Sequence, residues 1–323
     1  MTGARLDTPN VSVLIPAFNM DRVLETAVAS ALDQDGVTVE VVVIDDASTD
    51  GTPDLVAGMA RKDARVHPVR LQENAGPGAA RSAGLAQARG DWVAVLDADD
   101  RFAPGRLAHL LALARARNLD AVADNLTLVD PGLGRAVGRA FPLEEEAEIT
   151  LTAERFLANS VPGARVNVGW AQPMVRRDFL ERHGVAWPSL RHAEDMVFAM
   201  RLLMAGARWG LSGRAGYFYT QRRGTVSGQT SALSRTRRSV TDQQRAVAMV
   251  LAEGKECLRP AVLRRLRLMP AEIAATHAAI LARDAAAEGR WGAAAGHGLA
   301  ALTRPAAFAR CLAARFGPGA QFK

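Results

Sequence analysis

Short apolar runs alternate with segments of helical periodicity over the first hundred residues. Runs rich in β-branched residues predict strands at 11–15, 37–44, 65–71 and 92–96. Helical spacing predicts helices at 23–32 and 79–89, and Thr52 is expected to cap a third helix that has Pro53 at its first position. This alternation is typical of parallel βαβ units with helices on both faces of the sheet. We therefore predict an α/β fold with a mostly parallel central sheet.

The pattern becomes less regular in the rest of the chain. It predicts a helix ending near 117, a loop-and-helix insertion over 142–168, a helix at 193–205, and strands at 120–129, 135–141 and 217–220. Beyond Ser234 the sequence is rich in Ala and Arg and helical, with breaks expected at Pro260, Pro270, Gly289 and Pro305. We predict one large domain over 1–233, divided near residue 130, and a helical extension over 234–323.

Polar and aromatic residues follow three of the predicted strands. These are Phe18-Asn19, Asp45-Asp46 and the carboxylate cluster Asp97-Ala98-Asp99-Asp100. Ligands of parallel α/β sheets bind beyond the carboxyl ends of the strands, so we expect these groups to meet at one edge. Clustered carboxylates suit Mg²⁺ or Mn²⁺, and such a cation can hold a diphosphate.

Composition and net charge indicate the kind of binding partner but do not identify it. The 323 residues are 49% hydrophobic and 23% charged, as in ordinary globular proteins, and the net charge of +6 suits an anionic partner. The two cysteines, Cys257 and Cys311, form no C-x-x-C pattern, which favours a reducing compartment. The first residues lack the apolar stretch of a signal peptide, and no apolar run reaches the roughly 20 residues of a membrane span. We expect a cytoplasmic protein, with attachment to a membrane surface left open.

Four blocks of sequence together resemble the family-2 glycosyltransferases. In order they are Val13-Leu14-Ile15-Pro16-Ala17-Phe18-Asn19, Ile44-Asp45-Asp46-Ala47-Ser48-Thr49-Asp50-Gly51-Thr52, Asn74-Ala75-Gly76-Pro77-Gly78-Ala79-Ala80-Arg81-Ser82-Ala83-Gly84 and Leu96-Asp97-Ala98-Asp99-Asp100. The resemblance is dense over the first hundred residues and returns near Glu194. It implies a GT-A fold, with a nucleotide-sugar-binding half at about 10–130 and an acceptor-binding half at about 131–233.

The resemblance assigns the first two blocks to the nucleoside of a donor. Phe18, between Pro16 and Asn19, takes the place of an aromatic that lies against the nucleobase, although a plain core position is the alternative. Asp46 matches the acidic residue that hydrogen-bonds a uracil ring. Arg81, at the start of a helix after a glycine-containing loop, suits a diphosphate, and a surface ion pair is its alternative.

The D-x-D in the fourth block is implied to contact ribose through Asp97 and to coordinate Mn²⁺ or Mg²⁺ through Asp99. Such a cation would neutralise the charge that develops on a departing nucleoside diphosphate. A D-x-D by itself is common, so the argument depends on the other three blocks standing in order before it.

The pair Glu194-Asp195 matches the family's acidic pair at a helix start, where Asp195 is the expected catalytic base. The alternative is that both are ordinary charges at a helix N-terminus. Arg222 and Arg223 resemble a basic loop that closes over the phosphates and excludes water. Trp170 is a candidate platform for an acceptor sugar, against the alternative of a buried core tryptophan.

The function that the resemblance implies is metal-dependent, inverting sugar transfer in polysaccharide biosynthesis. The donor is a nucleotide-diphosphate sugar, with UDP-sugar expected, and the acceptor is a saccharide or a polyprenyl-diphosphate-linked saccharide. The basic C-terminal segment leaves open a solvated face or an anionic surface at the inner side of the cell membrane, and no nucleic-acid partner is expected.

Two other classes of protein remain as alternatives. A sugar-phosphate nucleotidyltransferase should have a glycine-rich basic loop after its first strand, where this chain has Pro16-Ala17-Phe18-Asn19. A non-catalytic sugar- or nucleic-acid-binding protein would not need the set formed by Asp97, Asp99 and Asp195.

Overall fold

A mixed sheet with helices on both faces forms the body of the protein. The computed structural model describes residues 8–130, 132, 134–160, 167–220, 225–226, 229–230 and 237–316. The strands are β1 Val11–Ala17, β2 Val39–Asp45, β3 Val66–Arg70, β4 Trp92–Val95, β5 Arg101–Phe102, β6 Ala121–Asp130, β7 Arg135–Arg139, β8 Glu148–Leu151, β9 Met174–Arg176 and β10 Trp209–Thr220, with a separate hairpin of β11 Thr225–Val226 and β12 Gln229–Thr230.

The order of strands along the main sheet is β3-β2-β1-β4-β9-β6-β10-β5. Strands β3, β2, β1 and β4 are parallel, as predicted, and β6 is parallel to β10. Between these two parallel groups lies β9, which is antiparallel to both β4 and β6. The sequence pattern missed β8 and β9 because strands of four and three residues are too short to show alternation.

The helices are α1 Leu24–Leu32, α2 Thr52–Lys62, α3 Pro77–Leu85, α4 Arg106–Ala116, α5 Ala153–Ala158, α6 Arg177–His183, α7 Glu194–Met204, α8 Arg237–Gly254, α9 Pro260–Ala287, α10 Trp291–Leu302 and α11 Pro305–Phe316, and a short 3-10 helix covers Val168–Trp170. Two expectations were wrong. Gly51, not Thr52, caps α2, because Thr52 already lies in the helix and its N–H donates to the Asp50 side chain. Pro270 does not break α9, since Leu266, Met269 and Ile273 are buried on either side of it and packing keeps the helix continuous.

The C-terminal helices pack against the sheet domain. Val247 and Val250 of α8 are fully buried, and Arg201 of α7 pairs with Glu253 of α8 at 2.7 Å. Farther along, the fully buried Glu272 of α9 lies 2.7 Å from Arg310 of α11. The contact between α7 and α8 joins the helical region to the domain that precedes it, and the contact between α9 and α11 lies within the helical region. The boundary at residue 234 stays a prediction. Within the described ranges, no helix is both long and apolar enough to cross a membrane.

A buried ion pair lies beneath the carboxyl edge of the sheet. Arg106 of α4 and Asp124 of β6 are almost completely buried and joined at 2.7 Å, with a second contact from Arg106 Nε to the same carboxylate at 3.0 Å. The Arg106 guanidinium also lies over the rings of Phe102 and Tyr217, at 4.5 and 5.2 Å from their centroids. The charge pair therefore positions an aromatic side chain that reaches the edge.

We predict that Asp124→Ala lowers the free energy of unfolding by about 3–5 kcal/mol, because it leaves the Arg106 charge buried without its partner. The measurement is urea denaturation followed by circular dichroism. Glu145→Ala is the matched control, since Glu145 pairs with Arg139 on the surface and such pairs contribute about 1 kcal/mol or less. Equal losses in the two variants would contradict the structural role of the buried pair.

Candidate active site

The ends of β1 and β2 are tied to each other by side chains. Asn19 has a left-handed backbone (φ 55°), and its Oδ1 accepts a hydrogen bond from the Thr49 N–H at 2.9 Å. The Asn19 N–H donates in turn to the Ser48 hydroxyl at 2.9 Å. Phe18, next to this junction, is half-buried and so is accessible at the edge of the sheet, as is Pro16. Their roles toward a nucleobase stay predictions.

Asp46 holds the loop that leads into α3. Its two carboxylate oxygens accept from the backbone N–H groups of Ala75 and Gly76, each at 2.8 Å. Burial raises the pKa of Asp46, and the two amide donors act in the opposite direction. Gly76 has a φ of +89°, and a Cβ there would lie 2.8 Å from Arg191 Cγ, so both the conformation and the space require glycine. Contact of Asp46 with a nucleobase stays a prediction.

Arg81 connects three carboxylates from separate parts of the chain. Its Nη2 donates to Asp97 at 2.7 Å, and its Nη1 donates to Glu194 at 2.6 Å and to Asp195 at 2.9 Å. The residue is 3% exposed, so the predicted surface ion pair is wrong in its location. Its Nε is buried without a protein partner within the described residues. The role of Arg81 toward a diphosphate stays a prediction. In this structure both of its terminal nitrogens donate to carboxylates.

Close backbone packing brings α3 and α7 together. A Cβ at Gly78 would lie 2.1 Å from the Pro188 carbonyl oxygen, so only glycine lets α3 approach the segment that leads into α7. That segment ends at Ala193, whose left-handed φ of 63° turns the chain into the helix. A non-glycine residue with a left-handed backbone conformation is strained, and such strain is often seen at functional sites. Arg81 thereby comes within hydrogen-bonding distance of Glu194 and Asp195.

The turn after β4 is held from below by Tyr217 and Gln172. The Tyr217 hydroxyl donates to Asp100 at 2.9 Å and accepts from the Asp97 N–H at 3.1 Å. Gln172 donates to the Asp97 carboxylate at 3.2 Å. Burial raises the pKa of Asp100 well above its usual range, and the neighbouring Asp97 and Asp99 add to this effect.

Sequence reasoning missed Tyr217 and Gln172 as parts of the site. Tyr217 carried a signal, because it begins the aromatic sequence Tyr217-Phe218-Tyr219 of a predicted strand, and a buried tyrosine hydroxyl needs a partner. Gln172 lies in the short connection before β9 and has no pattern that distinguishes it from other loop residues.

The D-x-D turn has the oxygen ligands that a divalent cation prefers. Asp97 and Asp99 are half-buried, and Asp100 is buried. Among the residues that the structure describes, no group of three or more His, Cys, Asp or Glu side chains is gathered around a metal position. Mg²⁺ in nucleotide sites is usually held by only one or two carboxylates and the substrate phosphates, so this donor set fits such an ion.

Asp195 lies in the first turn of α7, and its role as a base stays a prediction. Its side chain is 34% exposed, while Glu194 beside it is buried. The pKa of Asp195 is raised to about 7 in total: burial is the largest cause, the Arg81 charge opposes it, and the nearby Glu194 and Asp97 charges add to it. A carboxylate with this pKa can gain and lose a proton near neutral pH.

A cavity of about 400 Å³ begins at Asp195 and extends toward the C-terminal helices. Trp170 lines it and is half-buried, with its ring stacked on Tyr219 at 6.1 Å between centroids. Trp170 also packs against the hydrophobic core, as the alternative of a core tryptophan expects, and its contact with an acceptor stays a prediction. Arg222 and Arg223 lie outside the described residues.

Comparison with known proteins decides the family. The family profile described as Glycosyl transferase family 2 matches residues 12–184, more than half of the 323 residues. The chain belongs to glycosyltransferase family 2. This family 2 chain is 39% identical over 225 residues to the succinoglycan biosynthesis protein ExoO of Rhizobium meliloti (strain 1021). The aligned part is 68% of this chain and 63% of ExoO, so the chain spans less than two thirds of that relative's length.

Two solved structures share the fold of this family 2 chain. TarS 1-349 of S. aureus in complex with UDP-GlcNAc has a TM-score of 0.63 at 24% identity, covering 83% of this chain and 72% of TarS 1-349. Mannosyltransferase PcManGT from Pyrobaculum calidifontis in complex with GDP-Man and Mn²⁺ has a TM-score of 0.57 at 24% identity, covering 95% of this chain and 86% of PcManGT. The predicted family and the predicted GT-A fold with a helical C-terminal region are confirmed.

We predict that Tyr217→Phe lowers the free energy of unfolding by about 1–3 kcal/mol, because it leaves a buried polar group of the Asp97–Asp100 turn without its partner. The measurement is again urea denaturation. Tyr219→Phe is the matched control, since Tyr219 is the other tyrosine of the chain and its ring stacks on Trp170. If the two variants lose equal stability, the hydroxyl of Tyr217 does not support the turn.

Proposed function

We propose that this chain is a metal-dependent, inverting glycosyltransferase that moves a sugar from a nucleotide-diphosphate donor, a UDP-sugar, to a saccharide. The observation that carries the proposal is the contact of Arg81 with both Asp97 and Asp195. One guanidinium thus fixes the distance between the turn assigned to the donor and the residue assigned to the acceptor. Sugar transfer needs that distance fixed, because the two substrates must react directly.

Asp195 is proposed as the base. Its carboxylate takes the proton of an acceptor hydroxyl while that oxygen bonds to the anomeric carbon of the donor sugar. The bond between that carbon and the diphosphate oxygen breaks, and the electron pair leaves with the nucleoside diphosphate. Attack opposite the leaving group inverts the anomeric centre. The raised pKa suits this role, since a base works best when its pKa is near the working pH.

Charge at the site supports the need for a cation. Arg81 contacts three carboxylates, and Asp99 is a further carboxylate on the turn that contains Asp97. A diphosphate is itself anionic, so a cation between it and this turn would reduce their repulsion. Asp99 would hold Mn²⁺ or Mg²⁺, which would neutralise the charge that develops on the leaving diphosphate.

The alternatives are less well supported. A sugar-phosphate nucleotidyltransferase should have a glycine-rich basic loop after β1, and the structure has the Phe18-Asn19 junction there. A binding protein without catalysis would have no use for a carboxylate whose pKa is raised to about 7 beside a cavity. The name of ExoO favours an acceptor in polysaccharide assembly, either a free or a polyprenyl-diphosphate-linked saccharide.

An anionic membrane surface, at the inner face of the cell membrane, is the proposed location for this reaction. Trp291, Leu299 and Leu302 of α10 are 70%, 67% and 56% exposed. Their spacing places them within about 80° of arc on one face of the helix. Residues 289–316 include four arginines and no acidic residue. Arg290 and Arg310 pair with Glu288 and Glu272, so the exposed apolar face of α10 is the feature that supports a helix lying in a membrane interface.

We predict that Asp195→Asn lowers the transfer rate by about 10²–10⁴-fold, the usual contribution of a general base. In the unaltered protein, kcat/KM should rise with pH through about 7, because only the ionised carboxylate accepts a proton. The measurement is release of UDP from a panel of UDP-sugars with a saccharide acceptor, less the release without acceptor, between pH 5 and pH 9 at increments of about half a unit. Full activity in Asp195→Asn would remove this residue from the mechanism.

We predict that transfer requires Mn²⁺ or Mg²⁺ and that a chelator abolishes it reversibly. Asp99→Asn should raise the Mn²⁺ concentration that half-maximal UDP binding requires by roughly 10–100-fold or more. Calorimetric titration of UDP at several Mn²⁺ concentrations measures this without turnover. Asp91→Asn is the control, because Asp91 is exposed before β4, at the opposite end of that strand. Binding of UDP that does not depend on Mn²⁺ would contradict the proposed role of Asp99 as a metal ligand.

We predict that the protein sediments with vesicles containing anionic phospholipid at physiological salt, and that Trp291→Ser with Leu299→Ser reduces the bound fraction several-fold. Val137→Ser is the control, since Val137 is 46% exposed on β7 and lies outside the C-terminal helices. Equal binding by all three proteins would show that α10 is not the membrane contact.

A further inference from the structure

The cavity beside Asp195 has a wall that the family match does not include. That match ends at residue 184, whereas α8 contributes Gln243 to the wall and α9 contributes Ile273, His277 and Ile280. The volume of about 400 Å³ is in the usual range for small-molecule sites, roughly 300–1,000 Å³. The C-terminal helices therefore face the position at which a second substrate would meet Asp195.

The contribution of α8 and α9 to this wall is uncharged. Among the described residues that line the cavity, those from α8 and α9 include no carboxylate, lysine or arginine. Burial lowers the pKa of His277, and the nearby His297 lowers it further, so its imidazole is neutral at pH 7. Outside these two helices the lining includes Arg191, whose guanidinium donates to the side chain and carbonyl of Asn74, and the carboxylates of Glu194 and Asp195. An anionic group beside α8 and α9 would therefore lose its hydration near two carboxylates without gaining a cation from these helices.

The chemistry of the wall matches an uncharged sugar ring. An amide and a neutral imidazole can each donate and accept hydrogen bonds, as sugar hydroxyls require. The aliphatic side chains of Ile273 and Ile280 can cover the C–H face of a pyranose, and Trp170 lines the same cavity. A mixture of this kind is typical of ligand sites in which apolar area gives affinity and a few polar groups fix orientation.

The helical region also touches the segment that positions the base. The Gln243 amide lies 2.8 Å from His192 Nε2, and His192 comes three residues before Asp195. Arg201 of α7 pairs with Glu253 of α8 at 2.7 Å, so the helix that begins with the acidic pair is attached to α8 along its length. A ligand held by α8 would therefore be held in register with Asp195.

We propose that α8 and α9 form the acceptor-recognition surface of the enzyme, and that Gln243 and His277 bind hydroxyls of an uncharged terminal sugar. The inference rests on the proposed transferase function and adds the residues and the substrate class that select the acceptor. It makes Gln243 and His277 specificity-determining residues, distinct from the groups that bind the donor.

The test uses the full chain with UDP-sugars, Mn²⁺ and a panel of p-nitrophenyl glycosides, which includes neutral hexosides and a glucuronide. Hydrolysis of the UDP-sugar, in which water replaces the acceptor, reports on the donor half alone. Gln243→Ala and His277→Ala should raise the KM for neutral hexosides about 3–10-fold, as expected for a lost hydrogen bond, and should change the KM for the UDP-sugar in hydrolysis by a smaller factor. His277→Gln should restore part of the loss.

Gln244→Ala is the matched control, because it removes the same amide from the adjacent position of α8, where Gln244 contacts the Pro270 carbonyl instead. Thermal unfolding of each variant shows that the fold is retained. An unchanged acceptor KM in both Gln243→Ala and His277→Ala, or equal use of the glucuronide and the neutral hexosides, would overturn the inference. So would UDP-sugar hydrolysis without transfer to any neutral hexoside. Absence of both hydrolysis and transfer in the unaltered protein would contradict the proposed function itself.

Discussion

The arrangement of this site depends on one buried guanidinium. Arg81 is 3% exposed and contacts carboxylates from the β4 turn and from the start of α7. Removing a charge from water costs several kcal/mol, so a buried arginine persists only when its partners are fixed around it. The partners are equally dependent on Arg81, since Asp97, Glu194 and Asp195 would otherwise repel one another at close range.

This constraint links the fold to the proposed chemistry. Glycine at position 78 lets α3 approach the segment before α7, and Tyr217 and Gln172 hold the β4 turn from beneath. A second buried pair, Arg106 with Asp124, positions the ring of Tyr217. The two buried arginines thus have different tasks: Arg81 joins the halves of the site, and Arg106 supports the turn that one half is built on.

Much of the sheet could be predicted from the chain because its parallel strands are continuous apolar runs with carboxylates at their ends. The same pattern predicted that Phe18, Asp46 and Asp97 would meet at one edge. The contact between Arg81 and Asp195 could not be predicted, because 114 positions separate them and no local period relates their helices. The resemblance named both residues but gave them separate roles. Their hydrogen bond is visible only in the three-dimensional structure.

The C-terminal region shows a different limit. Its helical character followed from composition, but the direction in which its side chains face depends on how α8 and α9 pack against α7. The polar residues Gln243 and His277 have no motif around them, and their importance comes from lining the cavity next to Asp195. Pro270 illustrates the same point for the backbone, because tertiary packing overrides a local signal that would otherwise end the helix.

We propose that burial and the charges gathered around Arg81 together set the proton affinity of Asp195. The most direct measurement is the pH dependence of kcat/KM for UDP-sugar turnover in Glu194→Gln beside the unaltered protein. Glu194 raises the pKa of Asp195 by charge repulsion, so its removal should move the acid limb of the profile to lower pH. An acid limb at the same pH in both proteins would contradict the claim.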